Sequence, residues 1–205
     1  AFHMEMEDFQ VLEFTGIQFQ TFNVEEAKST GLELRLEGRP TEQLTLGFNW
    51  TWADARYPDD CAPASAPVQP RALCGNDLTN APEHVIVSRA NYDGMVPGTN
   101  LSWFVNGSVR WEDDHRTSTQ AVQIADDGTI TDDPLPDDIQ DSNAKVNLRL
   151  GLGDVDGLWT VELWGNNIFD EQTKNVTFNT PLRPGSRGVF FDAPRTYGLT
   201  VRTNM

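Results

Sequence analysis

The stretch that decides the interpretation of the fold is Pro194-Arg-Thr-Tyr-Gly-Leu-Thr-Val-Arg-Thr-Asn-Met205, at the end of the 205-residue chain. From Arg195 onward its side chains alternate with a period of two, as they do on a pleated strand. One face is mostly apolar and the other polar: Tyr197, Leu199 and Val201 against Gly198, Thr200 and Arg202. Such a strand fits a soluble sandwich, and it also fits a membrane barrel with its apolar face toward lipid.

The composition narrows the classes of protein. Lys and Arg number 15 against 31 Asp and Glu, which gives a net charge of -16 and argues against a nucleic-acid partner. No apolar stretch reaches the roughly 18 residues of a membrane-spanning helix, but a barrel strand needs only about 9–11, alternately apolar. Because residues 1–4 already follow a strand pattern, we expect a preceding segment of the protein.

The two cysteines, Cys61 and Cys74, lie close together in one Pro- and Ala-rich stretch. A single close pair in a loop predicts a local disulfide and an oxidising compartment, with two separate thiols as the alternative. Neither cysteine has another Cys or His at the spacing of a metal site, so we expect no metal there.

Seven further segments share the alternation of the last strand. The third is the cleanest, with Leu44, Leu46, Phe48, Trp50 and Trp52 on one face. The second is interrupted by the polar residues 23–29. The predicted strands cover residues 1–14, 22–37, 43–57, 82–92, 99–111, 141–152 and 158–167.

The connections between the strands alternate in length. This alternation distinguishes a membrane barrel, whose apolar face meets lipid, from a soluble β protein. Short turns at 38–42, 93–98 and 153–157 fall at one end of the strands, and long loops at 58–80, 112–140 and 168–193 fall at the other. Outer-membrane barrels have short periplasmic turns and longer extracellular loops, whereas soluble sandwiches do not sort their loops this way. The pattern favours an all-β, transmembrane antiparallel β-barrel, with a soluble β protein as the alternative.

Three stretches resemble one family. Asn23-Val-Glu-Glu-Ala-Lys-Ser-Thr-Gly-Leu-Glu33 resembles a strand motif in the C-terminal barrel half of TonB-dependent outer-membrane receptors. Trp164-Gly-Asn-Asn-Ile-Phe-Asp170 resembles the Asn-Asn-Leu-Phe-Asp segment of that family, with Ile168 in place of Leu, and residues 194–202 resemble its closing strand.

The resemblance implies that residues 1–205 are the C-terminal segment, of about eight strands, of a larger barrel of about 22 strands with a plugged lumen. The plug, the earlier strands and the segment that engages TonB (the TonB box) are expected in a part of the protein that precedes Ala1. The implied location is the outer membrane of a Gram-negative bacterium, in contact with lipid and lipopolysaccharide.

The closing strand also implies a contact with the barrel assembly machinery. We assign Tyr197, Gly198, Val201 and Met205 to this assembly signal. The family normally ends in an aromatic residue, usually Phe, so Met205 is a departure from its pattern.

The function that the resemblance implies is TonB-dependent active import of a scarce nutrient, most often a ferric siderophore. A passive porin and a soluble carbohydrate-binding β-sandwich are the alternatives. We expect no enzyme and no cofactor, because His3, His84 and His115 lie in unrelated contexts and no nucleophile elbow or His-Glu-x-x-His motif is present.

Candidate site residues lie in the loops and at the strand ends. Arg183 and Arg187 are cations that suit an anionic ferric chelate, with a solvated turn as the alternative. The acidic loop 112–140 suits divalent cations that bridge lipopolysaccharide, with exposed acids as the alternative. The tryptophans are expected as membrane-interface anchors rather than ligand stackers: Trp50, Trp52, Trp103 and Trp111.

Overall fold

The computed structural model describes residues 1–120, 123–124, 130–131, 136–183 and 185–204. In chain order, its elements are β1 (Phe2–Phe14), β2 (Phe19–Gly38), β3 (Leu44–Arg56), α1 (Val68–Leu73), β4 (His84–Met95), β5 (Leu101–Glu112), β6 (His115–Arg116), β7 (Gln123–Ile124), β8 (Ile130–Thr131), a 3₁₀ helix (Pro136–Asp138), β9 (Ile139–Gln140), β10 (Asn143–Asp154), β11 (Trp159–Asn166), β12 (Lys174–Asn179), β13 (Arg187–Phe191) and β14 (Thr196–Thr203).

The long strands form one 8-stranded antiparallel sheet in the order β1-β2-β3-β4-β5-β10-β11-β14. Each of them pairs with the next long strand along the chain, because each connection reverses the chain direction. This sheet confirms the predicted all-β fold and its eight long strands. The described helices include none that is long and apolar enough to cross a membrane.

The predicted course of two strands, β2 and β4, was partly wrong. Strand β2 is not interrupted at residues 23–29, because its ladder with β1 continues through this polar stretch, where Asn23 pairs with Gln10 and Ser29 with Met4. Strand β4 continues to Met95, so the predicted turn at 93–98 is shorter. Gly94 allows this extension, since a Cβ there would lie 2.5 Å from the indole ring of Trp103.

The ends of the sheet differ as predicted. The connections 39–43, 96–100 and 155–158 are short and lie at one end, whereas the connections after β3, β5 and β11 are long and lie at the other. One connection departs from this rule: residues 15–18 link β1 to β2 by a short turn at the long-loop end, because both strands extend further there. The last long connection contains the hairpin β12–β13, which was not predicted.

One face of the sheet exposes a continuous band of large apolar side chains. Their relative exposures run from 36% for Leu148 to 67% for Leu199. Soluble monomers rarely expose a continuous apolar surface of this extent. Lipid covers such a face in a membrane barrel. The band includes Leu32, Leu34, Leu36, Leu46, Leu148, Leu150, Leu152, Leu163 and Leu199.

The opposite face of the sheet is polar, as the lumenal face of a barrel is. Arg202 forms an ion pair with Glu162 on this face, and Asn106 Nδ2 donates to Asn91 Oδ1 at 3.0 Å. The predicted division of β14 into an apolar and a polar face is therefore confirmed, because Leu199 pairs with Leu163 on the outside.

A small apolar core lies under the connection between β3 and β4. The regular alternation of β1 breaks at Asp8, whose φ is 51°, and the N–H of Glu25 turns to Cys61 O at 2.8 Å. This break lets residues from both strands face the same loop. We call the resulting buried group, with the Cys61–Cys74 disulfide, the stapled core: Val11, Val24, Ala27, Tyr57, Cys61 and Leu73.

Candidate functional site

Four segments that are far apart in the sequence meet at the long-loop end of the sheet. We call them the loop assembly: residues 12–19, 79–80, 116–120 and, in the connection after β11, 174–183 with 185–191. Asn80 N donates to Arg116 O at 2.8 Å, and Thr79 Oγ1 donates to Ser118 O at 2.9 Å. Thr177 N donates to Thr117 O at 2.9 Å. These contacts join the connections that follow β3, β5 and β11.

The loop assembly also contacts the end of β1 and the β1–β2 turn. Three alternate carbonyls accept hydrogen bonds here: Leu12 O from Thr119 Oγ1 at 2.7 Å, Phe14 O from Asn179 Nδ2 at 3.5 Å, and Gly16 O from Leu182 N at 3.0 Å. The hairpin β12–β13 therefore bonds the end of β1, although it follows β11 in the chain.

A buried ion pair joins the loop assembly to the 3₁₀ helix Pro136–Asp138. The side chains of Arg187 and Asp138 form it with relative exposures of only 8% and 1%. The remaining donors of the guanidinium bond neutral oxygens: Gln120 Oε1 at 2.5 Å, Asn179 Oδ1 at 2.6 Å and Ser118 Oγ at 3.2 Å. The structure therefore places Arg187 in the interior rather than in a solvated turn, and its contact with a ligand stays a prediction.

Two threonines complete this group, which we call the Arg187 cluster. Thr177 Oγ1 donates to Asp138 Oδ1 at 2.7 Å, and Thr117 Oγ1 donates to Asp138 O at 2.9 Å. The cluster consists of Thr117, Ser118, Gln120, Asp138, Thr177, Asn179 and Arg187.

A pocket of about 490 Å³ opens beside the Arg187 cluster. This volume is within the usual range of small-ligand sites. The pocket walls are aromatic, aliphatic and neutral polar, and no charged side chain of the described ranges lines it. The lining comprises Leu12, Phe14, Phe19, Thr79, Asn80, Thr117, Ser118, Thr119, Gln120, Val176, Thr177, Phe178, Pro181 and Phe190.

The other predicted arginine, Arg183, lies exposed beyond β12, near the tip of the hairpin. Its backbone N–H bonds Thr180 O at 3.2 Å. It lines a separate open groove of about 390 Å³ with Ile17 and Leu182. Among the described residues Arg183 has no ion-pair partner, so its charge is available to solvent.

Two buried titratable groups, Tyr57 of the stapled core and Arg116, interact electrostatically, and Arg116 also interacts with Asp138 of the Arg187 cluster. Burial raises the pKa of Tyr57 to about 12, and burial lowers the pKa of Arg116. Arg116 Nη2 donates to Gln120 O at 3.3 Å, whereas its Nε and Nη1 have no hydrogen-bond partner in the described part of the chain. Tyr57 therefore remains a neutral phenol at physiological pH, next to a buried cation.

The base of the hairpin is fixed to β10 and to the end of the preceding loop. Lys145 Nζ lies 2.5 Å from Asp192 Oδ2, which also accepts from Thr173 Oγ1 at 2.8 Å. Lys174 N donates to Gln140 Oε1 at 2.7 Å. Burial raises the pKa of Asp192, but the hydrogen bonds from Lys145 and Thr173 lower it more, so the net shift is downward.

The four predicted interface tryptophans lie on the apolar outer face, and none lines the pocket. Trp50 and Trp111 flank Ile86 near the long-loop end, and Trp103 stacks on Tyr92 at 5.4 Å near the short-turn end. Trp52 Nε1 donates to Glu83 Oε1 at 2.7 Å. Indoles at both ends of the strands fit two interfacial belts, and their role as anchors stays a prediction.

The predicted disulfide and the predicted assembly signal are the remaining groups of site residues. Cys61 and Cys74 form the predicted disulfide, with their Cα atoms 5.3 Å apart. In the predicted assembly signal, Tyr197 and Val201 are exposed on the outer face, and Gly198 lies under Trp164, whose ring would be 2.5 Å from a Cβ. Met205 lies outside the described residues, so the assembly role stays a prediction.

The acidic loop 112–140 is described only in part. The pairs Asp126-Asp127 and Asp132-Asp133 lie outside the described residues, and the predicted binding of divalent cations stays a prediction. Within the described ranges no group of three or more His, Cys, Asp or Glu side chains is arranged to hold a metal ion.

The chain resembles known proteins in both sequence and fold. Residues 1–168 match the family described as TonB dependent receptor-like, beta-barrel. The fold is similar to that of the ferric yersiniabactin uptake receptor FyuA from Yersinia pestis, with 15% sequence identity and a TM-score of 0.73. The match covers 98% of this chain and 26% of that receptor. No curated protein matches the sequence.

Two other solved structures with this fold are also receptors for siderophores. The siderophore receptor PiuA from Acinetobacter baumannii has 17% identity and a TM-score of 0.62, and 97% of this chain covers 24% of it. The ferripyoverdine receptor of the outer membrane of Pseudomonas aeruginosa has 15% identity and a TM-score of 0.63, and 98% of this chain covers 24% of it.

The chain belongs to the TonB-dependent receptor β-barrel family. It spans about a quarter of each solved structure above, so its sheet is a fragment of a larger barrel. Its location is the outer membrane of Gram-negative bacteria, and its family is one of transport receptors rather than enzymes. The long-loop end of the sheet is accordingly the extracellular end.

Proposed function

We propose that the protein imports a ferric siderophore across the outer membrane by TonB-dependent active transport, and that this chain supplies part of the extracellular ligand site. The observation that carries the proposal is the pocket of about 490 Å³ in the loop assembly. Four extracellular segments build it, at the end of the barrel where a ligand arrives from outside. The similar solved structures, which are siderophore receptors, support the proposal.

The proposed ligand contacts follow from exposure and chemistry. Phe19 and Phe190 line the pocket with relative exposures of 69% and 65%, so both offer open aromatic faces for stacking. Arg183 supplies an exposed guanidinium near the same hairpin tip, which suits the negative charge that many chelates carry. Engagement of TonB, insertion by the assembly machinery and contact with lipopolysaccharide belong to the proposal as well.

The test is growth of a deletion strain under iron limitation on a panel of ferric chelates, cobalamin and oligosaccharides. We expect growth to fail on at least one ferric chelate and to be restored by the intact gene. The absence of any iron-dependent phenotype would overturn the siderophore assignment, and a defect confined to cobalamin or an oligosaccharide would replace it.

A matched pair of variants locates the site. Phe190→Ala removes an exposed ring from the pocket, and Phe169→Ala removes a ring that is 72% exposed but lies outside the pocket. We expect Phe190→Ala to weaken chelate binding about tenfold, because a lost stacking contact is worth about 1 kcal/mol or more. Phe169→Ala is expected to leave binding unchanged, and equal effects of both variants would argue against this pocket.

A further inference from the structure

The Arg187–Asp138 ion pair joins segments that lie far apart in the sequence. Arg187 opens β13, and Asp138 ends the 3₁₀ helix 49 residues earlier. The further acceptors of the guanidinium lie on two other segments, with Ser118 and Gln120 after β6 and Asn179 at the end of β12. One side chain therefore bonds three separate stretches of the chain.

The Arg187–Asp138 pair is better suited to fixing the arrangement of the loop segments than to adding stability to the fold. Burying two charges costs about as much as their attraction returns, so a buried pair adds little net stability compared with apolar packing. Its geometry is demanding, however, because the planar guanidinium fits only acceptors in the correct places. Loss of Asp138 leaves the buried guanidinium of Arg187 with only neutral acceptors among the described residues.

The Arg187 cluster lies directly behind the pocket. Its members Thr117, Ser118, Gln120 and Thr177 also line the pocket, whereas Arg187 and Asp138 do not. The two charged residues are thus one layer removed from the space that a ligand would occupy.

We propose that Arg187 is a positioning residue: with Asp138 it holds the hairpin β12–β13 against the other loop segments before any ligand arrives, and it does not contact the ligand. The effect on binding rests on the proposed function, whereas the effect on the hairpin does not. This role replaces direct recognition of an anionic chelate by Arg187 and leaves that task to exposed groups.

The first test is hydrogen exchange of the ligand-free, full-length receptor, which needs no ligand. Arg187→Gln and Asp138→Asn are each expected to make the amides of Thr177 and Leu182 exchange at least about tenfold faster. Amides within β10 are expected to be unchanged. The double variant is expected to exchange more slowly than Asp138→Asn alone, because it leaves no guanidinium buried without its carboxylate.

Arg195→Gln is the matched control. Arg195 pairs with Asp170 at 3.7 Å in the same connection, but both side chains are about half exposed, at 49% and 43%. An exposed pair contributes little, so this variant is expected to leave the hairpin unchanged. If Arg187→Gln has no larger effect on exchange than Arg195→Gln, the proposal is wrong.

A covalent tether then separates positioning from contact. Ile17→Cys with Leu182→Cys joins the hairpin tip to the β1–β2 turn, where Leu182 N already bonds Gly16 O at 3.0 Å. The binding probes are ferric yersiniabactin, ferripyoverdine and a ferric catecholate. We expect Arg187→Gln to weaken binding about tenfold and the oxidised tether to restore most of it.

The exchange and tether experiments together distinguish a positioning role of Arg187 from a ligand contact. Restored binding supports positioning, since a tether cannot replace a lost ligand contact. Weakened binding with unchanged exchange, and no rescue by the tether, would show that Arg187 contacts the ligand and would overturn the proposal. If no probe binds the wild type, the proposed function loses support, and the exchange experiment alone decides the role of Arg187.

Discussion

The stapled core and the Arg187 cluster are neighbouring parts of the extracellular end, and opposite kinds of interaction hold them. The stapled core buries Val24, Ala27 and Leu73 around a disulfide. The Arg187 cluster buries Thr117 and Thr177 to 0% and 3% exposure, together with an ion pair. Both attach a long loop to the rest of the sheet.

The difference shows how a barrel with little apolar interior can still order its loops. Apolar burial is non-directional and tolerates small changes of geometry, so the stapled core serves as an anchor. Hydrogen bonds and buried ion pairs are directional, and they fail together when one member is removed. We infer that the stapled core supplies stability and that the Arg187 cluster specifies how the segments around the pocket are arranged.

The largest expected effect comes from leaving a charge buried without its partner. Asp138→Leu is expected to destabilise the hairpin by about 3–5 kcal/mol, and Asp138→Leu with Arg187→Met to recover most of that loss. The measurement is the free energy of local opening from hydrogen exchange of the full-length receptor. A double variant as unstable as Asp138→Leu would mean that the ion pair itself is a major source of stability.

The next largest effect is expected from a substitution that creates a cavity in the stapled core. Leu73→Ala is expected to destabilise the loop around α1 by about 2–5 kcal/mol, since Leu73 is only 2% exposed. Val68→Ala on the same helix is the control, because Val68 is 50% exposed. Proteolysis rates of residues 58–76 report the difference, and equal rates for the two variants would contradict the existence of this core.

Removal of the disulfide has a somewhat smaller expected effect. Cys61→Ser with Cys74→Ser opens a cross-link across 13 residues, which is expected to cost the loop about 2–4 kcal/mol. The hairpin β12–β13 is expected to keep its exchange rates, because its contacts are independent of the staple. Faster exchange at Thr177 in this variant would show that the two regions are one cooperative unit.

The smallest expected effect is a pH dependence at the base of the hairpin. The pKa of Asp192 is lower in the folded protein than in the unfolded chain. Its stabilising contribution is therefore complete above the unfolded pKa of about 4 and is lost as the pH falls toward the folded value. Protection factors near Lys174, which correct for the pH dependence of intrinsic exchange, are expected to fall in that acidic window, and Asp192→Asn is expected to abolish this dependence.

The strands were predictable because their pattern is local. Strand β3 alternates without exception from Leu44 to Trp52, and a period of two over that length is characteristic of a strand with one apolar face. The hairpin β12–β13 was missed although a signal existed. Val176 and Phe178 alternate with Asn175 and Thr177, and Pro- and Gly-containing residues 180–186 follow as a turn.

The interior of the loop assembly was not predictable in the same way. Arg187 meets Asp138 and Gln120 across 49 and 67 residues of chain, and irregular segments carry both partners. No periodicity relates them, so a lone arginine in a Pro- and Gly-rich stretch is interpreted as an exposed cation. The pocket is equally hidden, because each of its four segments contributes only a few residues.

The central claim, that this extracellular end receives an iron chelate for energised import, is tested most directly by uptake of radioactive iron. Cells that carry the full-length receptor are supplied with the ferric chelate that supports receptor-dependent growth. The account predicts saturable uptake that disappears without TonB and falls about tenfold with Phe190→Ala. Uptake that persists without TonB, or that rises linearly with concentration as through a passive pore, would contradict it.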